Sequence, residues 1–388
     1  MTVLIVDDNA MNVMVIQEML KRAGYYDFQV AYSAEEMFEL LNSHEVGNAF
    51  STLRIDLILL DLMMPAMDGI EACRRLKMNV LFKDIPVIMV TAIGDSRKLA
   101  EALDAGAIDF VTKPINKTEL LARIRSALKL KQELDWHKER DSRMRQELLL
   151  ARQVQESVLP ERVEQSDVRI KAYFQASEEL AGDLYAWYKI DDNRWAIAVI
   201  DAMGHGISSS LVSMFIASIL KESMRTLWSP QRVFTELNRR LMGLQWENEL
   251  NHYYCTGIYI TLDLERMKLE YSNAGHPAGL LYHNGKPLPQ KLTVSSAPLG
   301  MFDTLEVSTC TIDLSPGDSL YLYTDGILSS FQGDEETQLE QLSTFLNQVK
   351  DDEASIMQLI ESKPLDGRSD DRCLVKVELL PGGQKREN

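Results

Sequence analysis

Basic charge is in short supply: the 388 residues carry 41 Lys and Arg against 58 Asp and Glu, a formal charge of -17. Nucleic acid and anionic membrane surfaces call for clustered Lys and Arg to displace counterions, so neither is an expected partner. Cysteine is scarce too. Cys73, Cys255, Cys310 and Cys373 stand far apart with no CxxC spacing, which suggests neither a zinc site nor a disulfide framework and fits a reducing cytoplasm. No apolar run approaches the roughly 20 residues of a membrane span. The N-terminus enters Thr2-Val3-Leu4-Ile5-Val6 without the basic region and cleavage site of a signal peptide. A soluble, cytoplasmic protein is expected. Internal repeats and low-complexity tracts are also missing.

The length exceeds one ordinary domain, and the pattern changes twice along the chain. Residues 1–118 alternate short apolar runs (Val3 to Val6, Leu57 to Leu60, Val87 to Val90) with stretches of helical spacing (Ala10 to Arg22, Ala34 to Leu41, Gly69 to Lys77, Leu99 to Ala105). Alternating βα units predict a doubly wound parallel sheet. Ser43 to Arg54 reads as a lengthened loop before the third strand. Residues 119–157 hold no Gly or Pro and are rich in Leu, Lys, Arg, Glu and Gln, which predicts one long helix. Its apolar stripe, Ile124, Leu128, Leu134, Met144, Leu148 and Val154, is irregular, so a solvated spacer and a dimerising coiled coil both remain open. Residues 158–388 read as consecutive strands, at 169–175, 195–201, 253–262, 267–272, 279–282, 319–323 and 373–379. Two helices interrupt them, at about 208–227 and 230–241. Strands in sequence with a segregated helix pair predict an α+β sandwich.

In the first region Asp7 and Asp8 end the first strand, Asp61 the third, Thr91 the fourth and Lys113 the fifth. The carboxyl ends of strands in an open α/β sheet share one crevice, so these side chains should converge there. Three carboxylates repel unless a cation sits among them, and hard oxygens suit Mg²⁺. A carboxylate left free beside the metal can attack a phosphoryl group and become an aspartyl phosphate, whose oxygens Thr91 and Lys113 would bind. A lone strand-end Asp is usually a helix cap. Five such residues in order resemble the receiver domain of two-component response regulators over essentially all of residues 1–120. The resemblance implies that Asp61 is the phosphoacceptor and that Asp8, Asp61 and the Met63 carbonyl hold Mg²⁺, with Asp7 in support. It also implies that Thr91 and Phe110 are the switch hydroxyl and aromatic, that Lys113 contacts the phosphate, and that a histidine kinase is the donor.

The last region carries Ala181-Gly182-Asp183, Asp201-Ala202-Met203-Gly204-His205-Gly206, Asn273-Ala274-Gly275-His276-Pro277, Tyr323-Thr324-Asp325-Gly326 and Ser369-Asp370-Asp371. Carboxylates beside glycines can approach one another with little crowding, and divalent ions must neutralise such a cluster. Two ions about 3.5 to 4 Å apart can hold a water, lower its pKa and clamp a phosphate for in-line attack. Asp-Gly alone is ordinary turn punctuation. The joined motifs resemble the SpoIIE-type branch of PP2C metal-dependent serine/threonine phosphatases over about residues 145–380, beginning with Leu150 to Pro160 as the entering helix.

By that likeness Asp183 and Asp201 bind one Mn²⁺ or Mg²⁺, and Asp201, Asp325 and Asp370 the other, with the Ala202 carbonyl contributing and a metal-bound water as nucleophile. Asp371 ranks behind Asp370 as a ligand. His205 and His276 are candidate acids or loop-packing residues. Two positions depart from the family: Ala181 where glycine is usual, and Ala186 where an aspartate commonly follows. A receiver joined to this domain resembles the RsbU, RsbP and RsbY group of stress regulators, which implies a phosphorylated STAS-domain anti-sigma factor antagonist as substrate. The competing expectation is a non-enzymatic adaptor that binds a partner when the receiver is phosphorylated.

Overall fold

The structure, a computed structural model, describes residues 1–43, 55–92, 96–244, 253–349, 352–362 and 370–381. The expected loop from Ser43 to Arg54 falls, from residue 44 on, outside the described residues, as does Ser369. Two compact units divide the chain, Met1–Met144 and Arg145–Asn388.

The first unit runs β1 (Thr2–Val6), α1 (Ala10–Lys21), β2 (Phe28–Ala31), α2 (Ala34–Ser43), β3 (Ile55–Asp61), α3 (Gly69–Met78), β4 (Val87–Ala92), α4 (Ser96–Asp104), β5 (Asp109–Lys113) and the first part of α5 (Lys117–Val158), whose residues from Arg145 on belong to the second unit. Its five strands pair in parallel in the order β2-β1-β3-β4-β5, so the doubly wound expectation is met. Alternation along each strand sends side chains to opposite faces. Leu4, Val6, Ile58 and Leu60 pack against α2, α3 and α4, while Val3, Ile5, Leu57 and Leu59 pack against α1 and the start of α5. The predicted long helix is present with 42 residues. Its first turns are receiver core, through Leu120, Leu121, Ile124, Ala127 and Leu128, whereas Leu134, Met144 and Val154 are exposed.

The second unit continues with β6 (Val163–Glu164), β7 (Val168–Gln175), β8 (Asp183–Lys189), β9 (Arg194–Ala202), α6 (Ile207–Thr226), α7 (Pro230–Met242), β10 (Cys255–Asp263), β11 (Lys268–Ala274), β12 (Gly279–Tyr282) and β13 (Gln290–Leu292). It ends with β14 (Cys310–Asp313), β15 (Ser319–Tyr323), α8 (Asp325–Leu328), α9 (Glu335–Val349), α10 (Glu353–Glu361) and β16 (Arg372–Leu379). Two antiparallel sheets form, ordered β14-β11-β10-β9-β8 and β13-β12-β15-β16-β7-β6. Trp195, Ile197 and Val199 of β9 meet Leu320 and Leu322 of β15 and Val375 and Val377 of β16 between the sheets. The opposite face of β9, Ala196, Ala198 and Ile200, packs on α6 and α7. Tyr321 and Tyr323 pack on α8, α9 and α10. The result is helix, sheet, sheet, helix, with one layer more than a single helix pair supplies.

Three further helices lie between β15 and β16, and β8 leads the first sheet, neither foreseen from the pattern. Leu339, Leu342 and Leu346 in α9 and Ile356, Leu359 and Ile360 in α10 carry helical spacing, but each stripe is short and packs only on its neighbours. Among the described residues no helix is long and apolar enough to cross a membrane.

Leu322 is fully buried at the sheet–sheet seam. Leu322→Ala should cost about 2 to 5 kcal/mol in urea unfolding of the second unit. A loss below about 1 kcal/mol would mean the seam is not the core described.

Candidate functional site

In the first unit, strand ends assemble a carboxylate crevice. Oxygens of Asp7, Asp8 and Asp61 all lie within 4.8 Å of one another. Asp7 and Asp61 are buried and Asp8 is exposed, so the cluster opens to solvent on one side. Lys113 Nζ reaches Asp61 Oδ1 at 2.6 Å and Asp7 Oδ2 at 2.9 Å. The Asn9 backbone N–H and the Asn12 amide donate to Asp7, which fixes its ring of acceptors. Burial pushes the Asp61 carboxyl above its ordinary value, with Asp7 and Asp8 adding to the rise and Lys113 opposing it. On Lys113 burial acts downward, and the bonds to Asp61 and Asp7 outweigh it, so its ammonium is held charged. The loop after β3 doubles back so closely that a Cβ on Gly69 would stand 2.2 Å from the Asp61 carbonyl oxygen. Only glycine fits there.

Thr91 is buried near the end of β4. Phe110 is half-buried, packs on the first core, and has the Arg123 guanidinium 5.5 Å above its ring. The Met63 side chain is exposed, with Lys98 Nζ 3.8 Å from its sulfur.

In the second unit, β8 and β9 pair so that Asp183 lies directly opposite Asp201. Ala202, wholly buried, ends β9, and the loop to α6 turns at Gly204 and Gly206, whose φ of 85° and 82° suits glycine. Asp325 opens α8 after Thr324, and Asp370 and Asp371 lead into β16. These carboxylates face one another. Burial raises Asp201 to about 8, and Asp325, Asp370 and Asp371 add to the rise. Burial also lifts Asp183 well above its ordinary value, reinforced by Asp201, Asp371 and Asp325. Asp325 is raised by burial and by Asp370. Among the described residues only the receiver group brings three ligand oxygens within 4.8 Å, so the sandwich cluster is the wider of the two.

Asp183 Oδ2 is buried without a hydrogen-bond partner. An all-oxygen donor set with one buried, unpartnered oxygen fits hard divalent ions, which supply the missing partner and charge.

Asp370 and Asp371 differ sharply. The Asp371 carboxylate is buried and accepts backbone N–H groups from Ser177 at 2.7 Å, Gly182 at 2.6 Å and Asp183 at 3.4 Å. It brackets the loop that carries Asp183. Asp370 is exposed and caps the Asp371 N–H at 2.8 Å. Thr324 exchanges two bonds with Cys373, backbone N–H to carbonyl at 3.1 Å and hydroxyl accepting from N–H at 3.0 Å. That pair seats Asp325 beside Asp370. Neither bracket was evident from motif spacing, because each joins segments remote in the chain.

The two histidines separate as well. His276 is buried, its ring meets Thr256 Oγ1 at 2.8 Å, its backbone N–H donates to Asn273 at 2.8 Å, and burial lowers it to about 3. Burial thus favours its neutral form, and its Nε2 is buried without a hydrogen-bond partner. His205 is exposed and lies 3.1 Å from Glu178.

Two family profiles match the chain: the response regulator receiver domain over residues 3–125 and Stage II sporulation protein E (SpoIIE) over residues 191–380. The phosphoserine phosphatase RsbP of Bacillus subtilis is 34% identical over 241 residues, 61% of this chain. The match spans 58% of that relative's own length. The cyclic di-GMP phosphodiesterase response regulator RpfG of Xanthomonas campestris is 29% identical over 315 residues, covering 77% of this chain and 78% of its own. The SiaA-PP2C domain of Pseudomonas aeruginosa superposes with a TM-score of 0.52 at 17% identity, over 62% of this chain and 98% of that one, and shows the sandwich to share the PP2C fold.

In metal-free protein, Asp201 at about 8 keeps its proton at neutral pH, while in the unfolded chain it ionises near the ordinary carboxylate value of 3.8. The native state then binds more protons, so stability falls as pH rises from about 4 to about 8. Melting temperatures in chelator should decline across that window, and Mn²⁺ should flatten the decline. A flat chelated profile would count against mutual repulsion in the cluster.

Proposed function

We propose that this chain, a response-regulator receiver followed by a SpoIIE-type domain of PP2C fold, takes a phosphoryl group on Asp61 from a histidine kinase and answers by hydrolysing phosphoserine or phosphothreonine on a partner protein. One observation carries the reading: four carboxylates of a PP2C sandwich, Asp183, Asp201, Asp325 and Asp370, are drawn to a common place where burial and repulsion raise Asp183, Asp201 and Asp325. A scaffold that only binds a partner gains nothing from so costly an arrangement. The likeness to RsbP, a phosphoserine phosphatase, supports the reaction class; a phosphorylated STAS-domain protein in stress signalling is the substrate proposed on the resemblance of the motifs.

In the receiver, Asp8, Asp61 and the Met63 carbonyl would hold Mg²⁺, with Asp7 supporting them. Asp61 supplies the nucleophilic oxygen. Lys113, 2.6 Å from it, pairs with the charge that arrives on the phosphoryl oxygens, and Thr91 gives a hydroxyl to them. In the sandwich, Asp183, Asp201, Asp325, Asp370 and the Ala202 carbonyl would hold two Mn²⁺ or Mg²⁺. Bound there, such ions acidify water and stabilise the developing charge on a phosphate. The protein's part is to hold the four oxygen donors on neighbouring strand ends and turns. The site needs no general acid from His276, which stays neutral and packed. Residues 119–157, helical throughout, are the route by which the receiver acts on the output, directly or by pairing with a second copy.

Full-length protein should hydrolyse p-nitrophenyl phosphate with Mn²⁺, and Asp201→Asn should lower the rate by about 100-fold or more, since even outer partners of metal ligands cost about 10- to 100-fold. A wild-type protein inert with both Mn²⁺ and Mg²⁺ would leave the adaptor reading in its place. Acetyl phosphate should change the wild-type rate, while Asp61→Asn should keep the basal rate and lose that response; equal rates with and without acetyl phosphate in wild type would overturn the coupling.

A further inference from the structure

Asp183 opens β8 directly after Ala181 and Gly182, and side chains grip that loop from two directions. The Asp371 carboxylate takes the N–H groups of Gly182 and Asp183. Gln155, near the end of α5, takes Ala181 whole. Its Nε2 donates to the Ala181 carbonyl at 2.6 Å, and its Oε1 accepts the Ala181 N–H at 3.0 Å. One amide thereby satisfies both backbone groups of one residue, as a neighbouring strand would, and the partners fix which end of the amide is oxygen. The contact is buried: Gln155 is 6% exposed, whereas Val154 and Val158 on the same turn are 59% and 40% exposed. The helix end is thus seated by a polar contact, with the apolar neighbours left outside.

We propose that Gln155 is a positioning residue for the sandwich metal site: it sets the register of Ala181 to Asp183, and it makes metal affinity depend on where the last turns of α5 lie. Asp183 Oδ2 is buried without a partner, and the backbone that carries Asp183 fixes where its carboxylate starts from. Gly182 leaves that backbone no slack, because a Cβ there would stand 3.0 Å from the Ala202 carbonyl oxygen and 3.1 Å from that of Gly204. A displacement of α5 by about 1 Å along the bond would take the Nε2 contact beyond hydrogen-bond range. It would also strand the Ala181 carbonyl and N–H in the interior, which costs more than a surface bond is worth. Because α5 is one helix whose first turns belong to the core of the first unit, a rearrangement that moves its end reaches the Asp183 loop through this amide. The effect on turnover rests on the phosphatase reading; the effect on metal binding does not.

The test is calorimetric Mn²⁺ titration of the full chain, in an Asp8→Asn background so that the receiver cluster contributes little. Gln155→Met, close in size and unable to bond Ala181, should weaken Mn²⁺ binding about tenfold, the lower end for outer partners of metal ligands. Its melting temperature in chelator should stay within a few degrees of the parent. Gln155→Glu keeps an acceptor for the Ala181 N–H but lacks the donor for its carbonyl, so it should weaken binding too and is read if the Met variant does not fold. Unchanged Mn²⁺ affinity in a folded variant overturns the inference. So does failure of both variants to fold, which would make Gln155 a plain structural residue. A parent chain that binds Mn²⁺ in a Gln155-dependent way and yet hydrolyses nothing would sink the phosphatase reading and leave the positioning role standing.

Discussion

Carboxylates that face one another away from water are the constraint on which both units are built. Two such groups cannot share a low-dielectric space unless protons, cations or hydrogen-bond donors remove the repulsion. The receiver answers with a lysine: Lys113 spans Asp61 and Asp7, and the Asn9 N–H and Asn12 amide occupy what Asp7 has left. The sandwich answers differently. Arg372, adjacent to Asp371, spends its guanidinium on the carbonyls of Gly326, Leu359, Ile360 and Ser362, so it ties α10 to the Asp325 turn. The raised values of Asp183, Asp201 and Asp325 are the signature of a charge deficit that hard cations fill.

Holding that deficit in place takes a stiff frame. Antiparallel pairing of β8 with β9 sets Asp183 against Asp201 with no loop freedom between them. Thr324 and Cys373 lock the start of α8 to β16, and a Cβ on Gly326 would stand 2.0 Å from the Asp371 carbonyl oxygen, so the backbones of the Asp325 turn and the Asp370 segment come into direct contact. Asp371 then joins this pair to the Asp183 loop. The carriers of the four carboxylates are therefore bonded to one another through groups that never need to touch a metal. Preorganised support of this kind is what keeps ligands in place in a flexible chain.

The sequence was legible where a property repeats locally. The apolar runs Trp195 to Ile200, Val3 to Val6 and Leu57 to Leu60 declare strands, and a stretch without Gly or Pro declares α5. The motif aspartates were legible too, because short motifs place them at strand ends. What was not legible joins distant positions. β8 mixes aromatic, charged and small residues, and its role as the partner of β9 follows from pairing rather than from pattern. The helices α9 and α10 carry short apolar stripes whose partners, Tyr282, Tyr321 and Tyr323, lie on strands from elsewhere in the chain. Asp371 looked like the weaker half of an Asp pair, and its function as a bracket depends on N–H groups nearly two hundred positions away. Gln155 looked like one polar residue among many in a helix.

The acidity of the chain takes on a different meaning in this frame. Within the formal charge of -17, Asp7, Asp8 and Asp61 bring ligand oxygens within 4.8 Å of one another, and Asp183, Asp201, Asp325 and Asp370 form a wider cluster. Three divalent ions would bring about six positive charges, well short of that total, so the loaded protein still repels an acidic partner at long range. A phosphorylated side chain itself brings about -1.5 to -2. Long-range attraction is therefore not what delivers such a partner, and at cellular ionic strength the repulsion is screened beyond about 8 Å. Recognition has to come from short-range fit around the cluster, where the field reverses sign once ions are bound. A site with that character would discriminate by what lies beside the phosphate.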